Sequence, residues 1–256
     1  MTVHQAIFLF AIAILGGALN SVAGGGSFLS FPALLFAGVP PVSANATNTL
    51  ALWPGTLAST AAYRGELAGH RRLMTPLVVT GIIGGVAGAI LLLHTPQDVF
   101  LRMVPWLLLV ATLLLAFSRH ITTLFGGRGS NPAGGSRRAT VVASLVQLII
   151  ATYIGFFGAG AGIVILAMFA VIRVGNFHTM NGLKTLLVTI CNGVALVPFI
   201  LAKAILWPHA LLMTCGAMVG GYGGAWYAQK LPPRYVRWFA LAVGFAMTAY
   251  FFLKHS

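Results

Sequence analysis

Adding 136 to a residue number near the N-terminus returns the same local pattern, with no gap. Ala23, Gly24 and Gly26 recur as Ala159, Gly160 and Gly162. Asn45, Thr49 and Leu50 recur as Asn181, Thr185 and Leu186. Gly84, Gly85, Gly88, Ala89 and Pro96 recur as Gly220, Gly221, Gly224, Ala225 and Pro232. The chain is therefore two copies of one plan, and whatever fold serves one half must serve the other. In each copy a glycine cluster interrupts an apolar run early on. Matching interrupted apolar segments in two halves are the sequence pattern of a membrane transporter with its site between the halves.

The solvent of this fold follows from its polarity. Hydrophobic residues make up 59% of the 256 residues and charged residues 7%, where a soluble domain carries roughly a quarter charged residues. Such a chain belongs in a bilayer. A helical span needs about 20 apolar residues, so there is room for about eight to ten segments and for no soluble domain. The net charge of +13 does not point to nucleic acid, because the basic residues are scattered over short loops rather than gathered on one face. Lys and Arg accumulate in cytoplasmic loops, and that explains them. The two acidic residues are Glu66 and Asp98. Cys191 and Cys215 fall within apolar runs and are expected to be buried small residues.

Apolar runs, separated by Pro, Gly, Asn or charged residues, cover about 4–22, 26–37, 43–62, 73–93 and 99–118 in the first half. In the second they cover about 139–158, 162–173, 179–201, 207–229 and 235–253. The first run has no preceding Lys or Arg and matches a segment of the second half, so it reads as a retained helix rather than a leader. The predicted fold is an all-α polytopic membrane protein. It has two inverted repeats of about five segments, at about 1–118 and 139–256, joined by a Gly/Ser/Arg-rich linker at about 119–138. The second segment of each half is too short to span. Twelve residues at 1.5 Å rise give roughly 18 Å, against about 30 Å of hydrocarbon. These two segments are expected to be short or re-entrant half-helices. Together the repeats form one transporter domain over 1–256.

Charge counting supports the inverted arrangement. With five crossings per half and both ends outside, 11 of the 15 Lys and Arg fall inside. With four crossings and parallel repeats, nine do. The expected location is the cell (inner) membrane, multi-pass, with the linker cytoplasmic.

The run Asn20-Ser21-Val22-Ala23-Gly24-Gly25-Gly26-Ser27-Phe28-Leu29-Ser30-Phe31-Pro32, the following Ser43-Ala44-Asn45-Ala46-Thr47-Asn48-Thr49, and the echo Met180-Asn181-Gly182-Leu183-Lys184-Thr185 together resemble the TauE/SafE family of membrane transporters, the sulfite exporters. The second half departs from the motif: Gly158-Ala159-Gly160-Ala161-Gly162 replaces the tighter glycine run, and no proline stands opposite Pro32. The resemblance covers nearly the whole chain. It implies export of sulfite, a sulfonate such as sulfoacetate, or a related small organic anion.

Asn45, Asn48 and Thr49 share a helix face at i, i+3, i+4 spacing, and their repeat partners are Asn181, Lys184 and Thr185, with Asn192 opposite Thr56. Polar side chains in hydrocarbon face the protein interior. Paired stripes are thus expected to meet near the centre and to bind substrate; interhelical hydrogen bonding alone is the simpler use. Lys184 stands where the first half has Asn48, and no carboxylate lies near it in sequence. A bound anion is its expected partner, against the alternative that it snorkels to a helix end. Gly24, Gly25, Gly26, Gly160 and Gly162 would expose backbone N–H groups at helix starts, and Ser27 a hydroxyl. The later glycine sets read as close-packing positions.

The expected activity is secondary transport, outward, of that anion. An inside-negative potential favours anion exit by about 2.3 kcal/mol per charge per 100 mV, and two acids offer little material for a carboxylate proton relay. An anion channel is the alternative. An intramembrane enzyme is less favoured, because no base is evident near Ser27 and the seven histidines lie at segment ends without metal-ligand spacing. No cofactor or metal is expected. The expected partners are the small anionic substrate and the lipid bilayer, with a homodimer as a possible assembly and no nucleic acid.

Overall fold

A computed structural model describes the backbone of all residues except 24, 68, 126–136, 173, 175–176, 229–232 and 256. Side chains at 21–23, 66, 118–125, 137–139, 177–178, 223–228, 233–237, 240 and 254–255 also lie outside the described set. The described residues form helices and no strand: α1 (Val3–Ala23), α2 (Ser27–Phe36), α3 (Pro41–Ala62), α4 (Arg64–Leu67), α5 (Arg71–His94), α6 (Gln97–Phe125), α7 (Arg137–Phe156), α8 (Ala161–Val171), α9 (Phe177–Leu201), α10 (Trp207–Ala228) and α11 (Pro233–His255). Among them, four contain stretches long and apolar enough to cross a bilayer: Val3–Asn20, Arg71–His94, Gln97–Phe117 and Thr179–Leu201. Large apolar side chains such as Ile83, Trp106, Ile149 and Leu201 are exposed, the surface a multi-pass membrane protein presents to lipid.

Proline and glycine set the element ends. Pro40 and Pro41 start α3 with the N1 proline that needs no N–H partner. Gly38, at φ 83, ends α2 in the left-handed conformation, and the Val39 N–H returns to Leu34 O at 3.0 Å. The two short helices are 10 and 11 residues long, about 15–17 Å at 1.5 Å per residue. Helix α2 runs back along α1. Its start lies against Gly16, where a Cβ on Gly26 would come within 2.5 Å of Gly16 O. Its end reaches the start of α1, where Gln5 Nε2 donates to Ala37 O at 3.2 Å.

Long helices pair through their glycines. A Cβ on Gly220 of α10 would lie 1.8 Å from Ile14 O of α1, and one on Gly88 of α5 would lie 2.0 Å from Thr152 O of α7. Close backbone approach of this kind is what small residues permit where lipid offers no hydrophobic drive. The order of contacts gives the directions. Gly84 meets Leu148 and Ala151, and Gly88 meets Thr152 and Phe156, so α5 and α7 run parallel. Gly216 meets Phe10 and Ala13, and Gly221 meets Gly17, so α1 and α10 also run parallel. Helices α3 and α9 run antiparallel: Trp53 packs on Gly193 and donates to Thr189 O at 2.9 Å, while Tyr63 bonds Asn181.

An aromatic core ties the first short helix to the second half. Phe31 of α2 meets Phe157 edge-on at 5.3 Å and Phe100 of α6 at 6.3 Å. Both glycine sets thus pack helices as expected, though the Gly224 environment lies outside the described side chains. One expectation is corrected. Cys191 is buried, but Cys215 is exposed, because the opposite face of α10, at Gly216 and Gly220, takes the contact with α1.

Candidate functional site

Polar side chains converge where each short helix meets the following long one. In the first half, Asn48 of α3 is buried against α2. Its Nδ2 donates to Ser27 Oγ at 3.2 Å, and its Oδ1 accepts from Ser30 Oγ. The same Ser30 hydroxyl is within 2.9 Å of Gly26 O, so its one proton chooses between two acceptors. Asn45 is also buried and reaches across to the second half, where Nδ2 donates to Phe156 O at 3.1 Å. Its buried Oδ1 has no partner among the described residues. Thr49 Oγ1 donates to Asn45 O at 2.9 Å, so its proton stays within its own helix.

In the second half, Lys184 of α9 is half-buried and its stem lies on the first turn of α8. A Cβ on Gly162 would lie 3.4 Å from Lys184 Cδ. Nζ donates to Asn181 Oδ1, and Asn181 Nδ2 donates to Tyr63 Oη at 2.9 Å. Thr185 Oγ1 donates to Asn181 O at 2.7 Å, matching Thr49. Among the described side chains no carboxylate meets the ammonium. Its single partner among the described residues is a neutral amide. The Lys184 charge and the partial positive charge at the α8 N-terminus act on the same space, and both favour an anion there.

The two glycine turns reach these positions differently. Gly26 caps α2 in right-handed geometry (φ −55, ψ −36). Gly160 caps α8 at φ 72, and Gly158 stands at φ 76, conformations that L side chains rarely adopt. Tyr153 fastens this second turn from α7, donating to Ala159 O at 2.7 Å.

On this frame Ser27 and Asn48 meet at the α2–α3 contact, and Gly162, Lys184 and Asn181 at the α8–α9 contact. Asn45 instead reaches Phe156 O, Gly25 lies against Phe28 and Leu19, Gly26 against Gly16, and Gly160 against Ala111, while Thr49 and Thr185 bond back to their own helices. Gly24 lies outside the described residues. The stripes do not simply oppose each other. Asn48 and Lys184 each turn to the short helix of their own half, and α3 meets α9 instead through Trp53, Thr60 and Thr189, with Thr60 Oγ1 2.8 Å from Thr189 Oγ1. Asn192 is half-buried on α9 beside Gly193 and forms no hydrogen bond to a described residue. Ser27 Oγ has an amide for its neighbour, and an amide is no general base. A cavity of about 270 Å³ at the α2–α3 corner, floored by Leu35, Val39 and Leu101, is apolar and stands apart from these groups.

Sequence reasoning passed over Ser30, Tyr63 and Tyr153. Ser30 was readable from its place one turn after Ser27. The tyrosines were not, because their partners lie across long-range contacts or within a turn whose shape the glycines alone do not fix.

Known proteins resemble the chain along most of its length. The family described as Sulfite exporter TauE/SafE matches residues 9–251. A probable membrane transporter protein, ORF9, from Sinorhizobium sp is 29% identical over 95% of this chain and 91% of its own length. A probable membrane transporter protein of Haemophilus influenzae is 25% identical over 94% of this chain and 92% of its own. The probable membrane transporter protein YfcA of Escherichia coli K12 is 26% identical over 94% and 87%. No solved structure matches the chain.

Proposed function

This chain belongs to the sulfite exporter TauE/SafE family of membrane transporters, and from that premise we propose that it exports a small sulfur-containing or organic anion through a site centred on Lys184. The carrying observation is that ammonium: half-buried, set against the start of a short helix, and bonded to a neutral amide. A cation in a membrane interior is costly by several kcal/mol unless paired or hydrated. An anionic oxygen removes that cost.

We read the halves as inverted repeats. The offset of 136 carries α1 onto α7 and α5 onto α10. The pairs α1–α10 and α5–α7 are then exchanged into each other, as a two-fold axis requires. Because α3 and α9 correspond and run antiparallel, that axis lies across the helices, in the membrane plane. Such an axis puts the two ends of the chain on one side and the linker on the other, and the Lys and Arg count favours the linker side as the inside. Export then follows the membrane potential, which contributes about 2.3 kcal/mol per charge per 100 mV, roughly 50-fold in gradient.

Liposomes containing the purified chain and loaded with radiolabelled sulfite or sulfoacetate test this reading. Efflux is expected to saturate, to show counterflow, and to quicken when the compartment holding the anion is made negative. Flux without saturation or counterflow would make the protein a channel. No flux of any sulfur oxyanion or carboxylate would remove the proposal.

A further inference from the structure

Tyr63 caps α3 and is half-buried. Its bond to Asn181 has a direction that chemistry fixes. An ammonium only donates, so Asn181 turns its oxygen to Lys184 Nζ and its NH₂ to Tyr63. The phenol oxygen therefore accepts, and its own proton is not used on Asn181. Among the described residues no acceptor takes it. The result is a line of donors, Lys184 to Asn181 to Tyr63, each polarised by the one before it, ending in an uncommitted O–H. Asn181 precedes Lys184 by one helical turn, about 4.5 Å of rise, and lies nearer the start of α9. Tyr63 is thus the outer member of the line. Beside it, α4 begins with exposed Arg64 and packs on α9, and α5 begins with exposed Arg71 and Arg72. These charges raise the local concentration of anions.

Resting on the anion-transporter reading above, we infer that Tyr63 is an anion-binding residue: its hydroxyl donates to a sulfite or sulfonate oxygen arriving from the linker side, and hands the anion one helical turn inward to Lys184. The relay makes the phenol a stronger donor than an isolated tyrosine. The Tyr63 contribution accordingly depends on Lys184.

The test uses the full chain, purified, with sulfite, sulfoacetate, sulfate and chloride each as probe, read by ligand-induced shift of the unfolding temperature and by flux from liposomes. Tyr63→Phe keeps the ring and removes the hydroxyl, both its free proton and the oxygen that accepts from Asn181. It is expected to weaken sulfite binding about tenfold, and to lower the unfolding temperature in anion-free buffer slightly through the lost Asn181 bond. In a Lys184→Met background the same change is expected to cost less than about threefold. Tyr222→Phe, at an exposed position, is the control and changes neither. Wild-type affinity in Tyr63→Phe overturns the inference, as does an equal loss with and without Lys184, since the tyrosine would then act alone. Should wild type respond to sulfate or chloride but not to sulfite or sulfoacetate, the proposed substrate class falls while Tyr63 stands or falls by the same comparison with the anion that binds. A wild-type protein that no anion stabilises or crosses overturns both.

Discussion

The two short helices carry related sequences and do different work. At the start of α2 the glycine is needed for room: Gly26 has ordinary right-handed angles, and a side chain there would strike Gly16 O and Asn20. At the start of α8 the glycine is needed for conformation: Gly160 holds φ 72, and Ala111 is 3.2 Å from where its Cβ would be. The polar residue facing each helix differs in the same spirit. Asn48 has both ends of its amide bound by serines of α2. Lys184 meets a bare glycine of α8 and carries a charge that one amide partly answers. At this position the first half closes its amide internally, and the second leaves a charge demanding an outside partner. In a pseudo-symmetric frame, the position where the copies diverge is where a ligand is to be sought.

The sharpest way to break this comparison is at the glycines. Gly26→Ala forces α1 and α2 apart, and overpacking of this kind costs about 1–3 kcal/mol. Gly160→Ala costs about 1–2 kcal/mol through its left-handed backbone. The two are separated by asparagine, which tolerates the left-handed region. Gly160→Asn is expected to recover part of the lost unfolding temperature relative to Gly160→Ala, while Gly26→Asn is worse than Gly26→Ala. Equal behaviour of the two asparagine variants would erase the distinction between room and conformation.

Lys184→Asn makes the two halves alike at the divergent position. A charge-assisted hydrogen bond contributes roughly 1.5–3 kcal/mol, so anion affinity is expected to fall about 10- to 100-fold. The variant should be at least as heat-stable as the parent without ligand, since a desolvated ammonium is gone. Glu66→Gln sharpens the point and should leave anion binding intact. If it reproduced Lys184→Asn, the lysine would have a protein counter-ion and no need of an anion.

Much of this frame was legible before any coordinates. Nine of the ten runs read from the sequence end within about two residues of their helices, because apolar length and Pro/Gly punctuation act locally. The tenth falls short: α6 continues to Phe125, past Arg119 and His120, whose polarity marks the edge of an apolar run but not the end of a helix. The four-residue α4 carries no periodic signal and was missed. The exposed Cys215 departs from the expectation because an apolar helix with little polar contrast does not say which face is inside. Of the candidate site, only the divergent positions are legible in the sequence. Asn48 and Lys184 stood out by repeat register, whereas the serine clamp on one and the tyrosine on the end of the other depend on which helices touch.

The smallest expected effect tests whether the stripes bind as stripes. Thr49 and Thr185 sit at repeat-equivalent positions, and each donates its hydroxyl proton to the carbonyl one turn back, Asn45 O at 2.9 Å and Asn181 O at 2.7 Å. A hydroxyl so engaged still has lone pairs, but lone pairs repel an anion. Neither threonine then contributes to holding one, although both belong to the faces that the sequence singled out. Replacing either by valine keeps the shape and removes the back-bond, a change of about 0.5 kcal/mol or less where the group makes no other contact. Thr49→Val and Thr185→Val are therefore expected to leave sulfite affinity and unfolding temperature close to those of the parent, in both halves alike. A tenfold loss in Thr185→Val with Thr49→Val silent would mean that the hydroxyl turns from its own helix to the ligand on binding. The site would then extend along α9 beyond Lys184, and the asymmetry between the halves would rest on more than one charge.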